Sequence, residues 1–206
     1  ALTILTNKKL IGIRDPFGIR PLIIGKLNKS YVLASETCAL DIIGAKFIRE
    51  VDNGEIVIIT ENGVESIKPF PKIKARPCIF EYIYFSRPDS LINNISVYEY
   101  RKKLGAELAK ESHIDSDLIV PVPDSGVPAA IGYSEEIKKS IELGIIRNHY
   151  VGRTFIEPTQ QIRSFGVKLK HNINKSLVKD KSLILIDDSL VRGTTSVKII
   201  KMLYDA

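Results

Sequence analysis

The chain has 206 residues, of which 44% are hydrophobic and 26% charged, with a formal net charge of +6. No apolar run approaches the roughly 20 residues that span a bilayer, and no low-complexity tract appears, which leaves one or two globular domains with a sizeable core. The positive excess suits an anionic partner, but no Lys/Arg block of the kind found in nucleic-acid arms is present, so neither nucleic acid nor membrane is expected as a partner.

The first ~70 residues read as short strands separated by polar turns. Leu2–Thr6 and Leu10–Ile13 flank Asn7-Lys8-Lys9, and Leu22–Lys26 and Tyr31–Ala34 flank Leu27-Asn28-Lys29. Cys38–Gly44 reads as a short helix closed by its glycine. Glu55–Thr60 and Val64–Lys68 flank Glu61-Asn62-Gly63, and Asn-Gly is a strong hairpin signal. The pattern predicts an antiparallel sheet. Pro69-Phe70-Pro71 then interrupts any ladder, and with Pro77 it places a domain boundary near residues 69–77. Two domains are therefore expected, 1–70 and 71–206.

Beyond the boundary the run Ile79–Phe85 is strand-like. A helix fits Val97–Glu111, with Val97, Tyr100, Leu104 and Leu108 on one stripe. A strand over Leu118–Val122 runs into Pro123-Asp124-Ser125-Gly126, and a helix follows from Val127 to Lys139. The strand Gly144–Arg147 leads into a long polar segment, 148–176, of a kind that often forms a lid. A last strand, Ser182–Ile186, ends in Asp187-Asp188, and a helix starts near Thr194 and reaches Ala206 without a cap. Alternating strands and helices predict a parallel α/β sheet.

The stretch Leu183–Ser196 carries the chemistry. A buried strand delivers two carboxylates to its C-terminal end, where open α/β sheets bind ligands. A short loop then enters a helix through Gly193-Thr194-Thr195. Gly193 allows close backbone approach, and the helix start offers free N–H groups and partial positive charge. Acceptors for sugar hydroxyls thus stand beside donors for a phosphate, which suits a ribose 5-phosphate. No Gly-x-x-x-x-Gly-Lys-Ser/Thr or Gly-x-Gly-x-x-Gly loop is present to support a nucleotide-triphosphate or dinucleotide fold.

This stretch resembles the signature of type I phosphoribosyltransferases, which bind phosphoribosyl pyrophosphate (PRPP). Further runs narrow the resemblance to the amidophosphoribosyltransferases. Arg14-Asp15-Pro16-Phe17-Gly18-Ile19-Arg20-Pro21-Leu22, Ala34–Asp41 and Val51–Glu55 are similar to the later part of that family's glutaminase domain. Glu81–Ser90 resembles the opening of its transferase domain, Val122–Gly126 its pyrophosphate loop, and Tyr150–Ile156 its mobile loop. The resemblance implies the end of an antiparallel N-terminal-nucleophile glutaminase domain (glutamine amidotransferase type 2) followed by a type I phosphoribosyltransferase domain. It implies transfer of glutamine-derived ammonia to PRPP, giving 5-phosphoribosylamine, glutamate and pyrophosphate, the first step of de novo purine biosynthesis. A homo-oligomer is expected with it.

Family positions then suggest roles. Asp187, Asp188, Ser189, Arg192, Gly193, Thr194, Thr195 and Arg153 are expected to bind PRPP. Ser125, Asp187 and Asp188 match positions associated with magnesium, a metal that prefers oxygen ligands and substrate phosphates. Lys168 lies with Arg153 in the polar segment, and His149 stands where the family pattern leads one to expect a basic Arg or Lys. The glutaminase nucleophile is expected upstream of Ala1, which is not a Met; Cys38 then reads as a structural thiol, and no catalytic residue is assigned. Cys78 matches the first cysteine ligand of members that carry a [4Fe–4S] cluster. Two cysteines make no disulfide framework, and a reducing, cytoplasmic setting is expected. The competing readings are a salvage phosphoribosyltransferase acting on a free base and a non-enzymatic PRPP-binding regulator. Neither accounts for Arg14–Leu22 together with Glu81–Ser90.

Overall fold

The computed structural model describes residues 1–148 and 170–206, which form two compact units, Ala1–Tyr100 and Arg101–Ala206. The first unit holds two larger antiparallel sheets and a small hairpin. Strands β1 (Leu2–Leu5), β2 (Leu10–Ile13), β6 (Ile56–Thr60) and β7 (Gly63–Ile67) make one, in the order β1-β2-β6-β7. Strands β3 (Ile23–Leu27), β4 (Ser30–Ala34) and β5 (Lys46–Glu50) make the other, with β3 in the middle. The polar turns sit where expected: Leu27 pairs with Ser30 and Thr60 with Gly63, leaving two-residue loops. Strand β5 was not expected, because Lys46, Arg49 and Glu50 mask its short apolar centre.

Strand β3 is buried on both faces, which fixes its register. Ile24 packs with Leu22, Val51, Val57 and Ile59 between the two sheets. Its neighbour Ile23 points the other way, to Leu40 and Ala45 under the helix α1 (Thr37–Ile43). Burying each such side chain stabilises by about 1.5–3 kcal/mol. Gly44 ends α1 in the left-handed region at φ 70°, where its N–H caps Asp41 and Leu40 carbonyls. Beneath the sheets, the sealed Glu55 carboxylate accepts from Arg49, from the Asp52 N–H and from the Ser66 hydroxyl.

Residues 71–100 belong to the first unit. The Arg76 and Cys78 N–H groups donate to the Phe17 and Ile19 carbonyls at 2.8 and 3.0 Å. Glu36 Oε2 accepts the Arg87 N–H at 2.7 Å and the Ser90 hydroxyl at 2.9 Å. Between these anchors Glu81–Phe85 forms one wide π-helical turn, with the Ser86 N–H on the Glu81 carbonyl, rather than the expected strand. A strand alternates, but Glu81, Tyr82 and Ser86 are buried together, Glu81 on Arg20 and Ser86, and Tyr82 on Ile92 and Val97. A small hairpin, β8 (Leu91–Ile92) with β9 (Ile95–Ser96), follows.

Helix α2 (Val97–Glu111) starts in the first unit and continues in the second. Its buried stripe is Val97, Arg101, Gly105 and Ala109, whereas Leu104 and Leu108 of the expected stripe are exposed. Small residues win that face because α3 (Val127–Ile137) comes too close for larger ones. A Cβ on Gly105 would lie 1.8 Å from the Ala129 carbonyl oxygen, and one on Gly132 1.8 Å from that of Lys102.

In the second unit β10 (Leu118–Pro121) and β13 (Leu183–Ile186) are parallel neighbours, Leu118 opposite Leu183 and Pro121 opposite Ile186. Ile119, Ile184 and Ile186 face Ala109, Ala130 and Tyr133. Val120, Leu183 and Leu185 face the opposite cluster, with Val178 of α4 (Lys175–Val178) and Ile199 of α5 (Thr194–Tyr204). Helices therefore cover both faces, the layering of an α/β sheet. Strand β11 (Ile145–Arg147) pairs antiparallel with β12 (His171–Ile173), so the segment expected as wholly loop contains β12 and α4. Helix α5 closes at Tyr204 instead of running through Ala206.

Candidate functional site

Because β10 and β13 are parallel neighbours, their C-terminal ends lie at one sheet edge, and each runs on toward the start of a helix. After β13 come Asp187 and Asp188, both half-buried. Asp187 Oδ1 accepts the Asp188 N–H at 2.9 Å, and Asp188 accepts the Ser189 hydroxyl. No Lys or Arg among the described residues pairs with either carboxylate. Burial pushes the Asp187 carboxyl above its ordinary range; the Asp188 N–H works against that rise and the Asp188 charge adds to it. Leu190, Val191 and Arg192 are exposed, and Arg192 forms no ion pair among the described residues. Gly193 turns the chain into α5 at φ 69°, a left-handed conformation that favours glycine.

The loop after β10 closes against this end. The Val122 N–H donates to the Ile186 carbonyl at 2.8 Å, and Gly126 returns its N–H to Val122 at 2.9 Å. A Cβ on Gly126 would stand 2.4 Å from the Ile186 oxygen and 3.2 Å from the Asp187 Cα, so only glycine fits. The Pro123–Asp124 peptide is cis. Ser125 is half-buried in this loop, and Asp124 is ion-paired with Arg147 at the end of β11. Asp187, Asp188 and Ser189 are thus brought to one edge with the loop holding Ser125, while Gly193–Thr195 open α5 beside them. Arg153, with His149 and Lys168, lies outside the described residues. The sequence places Asp124 and Gly126 in a run resembling a pyrophosphate loop, but it shows neither the close packing of Gly126 nor the Asp124–Arg147 pair. A signal for the pair was present: an acid inside a loop that resembles an anion-binding one requires a cation nearby.

Two features lie elsewhere. A groove of about 970 Å³ in the first unit is lined by none of the candidate residues, and its Arg14, Arg49 and Lys68 are already paired with Glu50, Glu55 and Asp52. Volume therefore does not mark the chemistry. Cys38 is buried in α1, and that burial raises its thiol pKa, with the Ser90 hydroxyl acting against the rise; a thiol so held is a poor nucleophile. Cys78 is half-buried and free. Among the described residues no three His, Cys, Asp or Glu side chains gather to hold a metal ion, and no helix is long and apolar enough to cross a membrane.

An acidic strand end, a glycine turn and two helix starts at one edge of a parallel sheet define a mixed α/β protein suited to sugar-phosphate ligands. No protein-family model matches the chain. It is 58% identical to the amidophosphoribosyltransferase of Rhizobium etli, over 98% of this chain and 42% of that protein. It is 53% identical to the enzyme of that name from Synechocystis sp., over 100% of this chain and 42% of that protein. With the Bacillus subtilis protein of that name the identity is 48%, over 100% and 43%. The solved structure of the B. subtilis glutamine PRPP amidotransferase complexed with ADP and GMP superposes with a TM-score of 0.89 at 48% identity, covering 98% of this chain and 45% of that one. A structure of the allosteric regulatory enzyme of purine biosynthesis gives a TM-score of 0.90, also at 48% identity, over 98% and 44%. The chain spans 42–43% of the length of these three relatives.

Proposed function

We propose that this chain is part of an amidophosphoribosyltransferase, a pentosyltransferase that passes glutamine-derived ammonia to PRPP in the first step of de novo purine biosynthesis. The observation that carries the proposal is the Asp187-Asp188 strand end, uncompensated by any described cation and set against the Val122–Gly126 loop. Asp187 and Asp188 hold the ribose hydroxyls. The turn Ser189–Thr195, with Arg192 and the α5 start, takes the 5-phosphate, and Arg153 binds the substrate. Ammonia forms the C1–N bond as the C1–O bond to diphosphate breaks, and a proton leaves the nitrogen. Positive charge develops at C1 in that step, and neighbouring carboxylates favour it. Relatives along the whole chain share one name, which neither a salvage enzyme nor a regulator accounts for.

Within this proposal residues 1–70 are the end of the glutaminase domain and 71–206 the transferase domain, in a reducing, cytoplasmic setting. Magnesium fits the donor set: it takes one or two carboxylates and completes its shell with water and substrate phosphates, so Asp187, Asp188 and Ser125 would hold it. It would neutralise charge on the leaving diphosphate. A [4Fe–4S] cluster does not fit these residues alone. It takes four thiolates, and of the two cysteines Cys38 is buried in α1. Cys78 would be one ligand, with the rest drawn from elsewhere in a longer protein. The test of the function is pyrophosphate release from PRPP by the full-length protein, with glutamine or with ammonium. Release with both supports the proposal; release with neither overturns it.

A further inference from the structure

The loop after β10 contains an acid where an anionic ligand would be a poor neighbour. Asp124 is 58% exposed at its side chain, in a loop whose backbone is pinned to Ile186 just before Asp187 and Asp188. Asp124 thus belongs to the loop that closes on the Asp187–Asp188 strand end. PRPP carries a phosphate and a diphosphate, so an unpaired carboxylate in that loop would repel it.

Arg147 answers that charge. Its Nη1 is ion-paired with Asp124 Oδ2, and its Nε is buried without a hydrogen-bond partner among the described residues. The guanidinium is delivered from the end of β11, held opposite His171 of β12, so it comes from a paired strand. An ion pair open to solvent on the Asp124 side, 58% exposed, and half-buried at Arg147 contributes little to stability. Its effect falls on the field at the sheet edge.

We infer that Arg147 serves the diphosphate end of the substrate through Asp124: it cancels the Asp124 charge so that Ser125 and the backbone of the Pro123–Gly126 loop can take the ligand. This inference rests on the proposed PRPP site.

The test is steady-state kinetics of the full-length enzyme with ammonium as nitrogen donor. Arg147→Gln raises the KM for PRPP roughly tenfold, the order expected of one uncompensated unit charge near a charged ligand, while kcat stays within about twofold. Arg147→Lys, which keeps the charge, stays nearer the wild type. Adding Asp124→Asn to Arg147→Gln restores the KM, because the offending carboxylate is gone. A double variant as poor as Arg147→Gln alone overturns the inference, since Arg147 would then touch the ligand itself. An unchanged KM in Arg147→Gln overturns it as well. Should Arg147→Gln fail to fold, Asp124→Asn alone decides: its KM falls or holds if the inference is right, and rises if the pair is needed for another reason. Wild-type enzyme that releases no pyrophosphate from PRPP would count against the proposed function instead.

Discussion

In the antiparallel unit Glu55 is sealed from solvent and accepts four hydrogen bonds, two from Arg49, one from the Asp52 N–H and one from Ser66. At the end of β13 Asp187 accepts one, from Asp188, among the described residues. Their acidities diverge accordingly. Burial alone would raise the Glu55 pKa, but its donors outweigh burial and hold it at about 2. Burial dominates at Asp187, and its pKa rises. A carboxylate saturated by its own protein is structural, whereas one left short of donors and cations is ready to take a hydroxyl or a metal ion from outside. Glu36 and Glu50 belong with Glu55: they fasten the 86–93 segment within the first unit, to α1 and β5.

The largest effect is expected at the loop that faces Asp187. Gly126→Ala forces a Cβ to within 2.4 Å of the Ile186 carbonyl oxygen, and backbone must move. Displacing such a loop by about 1 Å lowers catalytic efficiency with PRPP on the order of 100-fold, and overpacking lowers stability by about 1–3 kcal/mol. Kinetics and a melting curve of the full-length protein check both.

Glu55→Gln and Asp187→Asn should then separate cleanly. The folded-state pKa of Glu55 lies below its ordinary value of 4.5, so its contribution is present above that pH and is lost as pH falls toward 2. At pH 7 Glu55→Gln costs about 3 kcal/mol, visible as a lower melting temperature, with PRPP kinetics unchanged. The gap between variant and wild type closes as the pH is lowered through that window. Asp187→Asn behaves in the opposite way. A carboxyl whose pKa is raised by folding opposes folding once ionised, so neutralising it leaves the melting temperature unchanged or higher. Catalytic efficiency with PRPP meanwhile falls about 10- to 100-fold, the value of a hydrogen bond to a charged group. Equal loss of stability in both variants would erase the distinction.

The smallest effect is expected at Cys38. Cys38→Ala removes a buried thiol from α1 and costs about 1 kcal/mol without touching ammonia-dependent turnover. Glutamine hydrolysis by this chain that the substitution abolished would contradict the structural assignment.

Much of this contrast was legible in the sequence, for identifiable reasons. Gly44 and the Asn62-Gly63 turn are local signals, and α1 and the β6–β7 hairpin appear where they point. Asp187-Asp188 followed by Gly193 is also local, and the structure keeps it intact after β13. What sequence did not reveal depends on contacts between distant residues. The buried stripe of α2 runs through Gly105 and Ala109 because α3 approaches closely, a fact invisible in a hydrophobic pattern that favours Leu104 and Leu108. The turn Glu81–Phe85 reads as a strand until Arg20 and Ile92 are known to bury Glu81 and Tyr82 together. Arg147 and Asp124 are 23 residues apart and meet only across the fold.

The claim that the under-satisfied pair binds PRPP is tested most directly by calorimetric titration of PRPP with magnesium into full-length wild type and into Asp187→Asn/Asp188→Asn. The account predicts that the wild type binds and that the double variant binds at least about 100-fold more weakly, with both proteins melting at similar temperatures. Equal affinity in the two would contradict it.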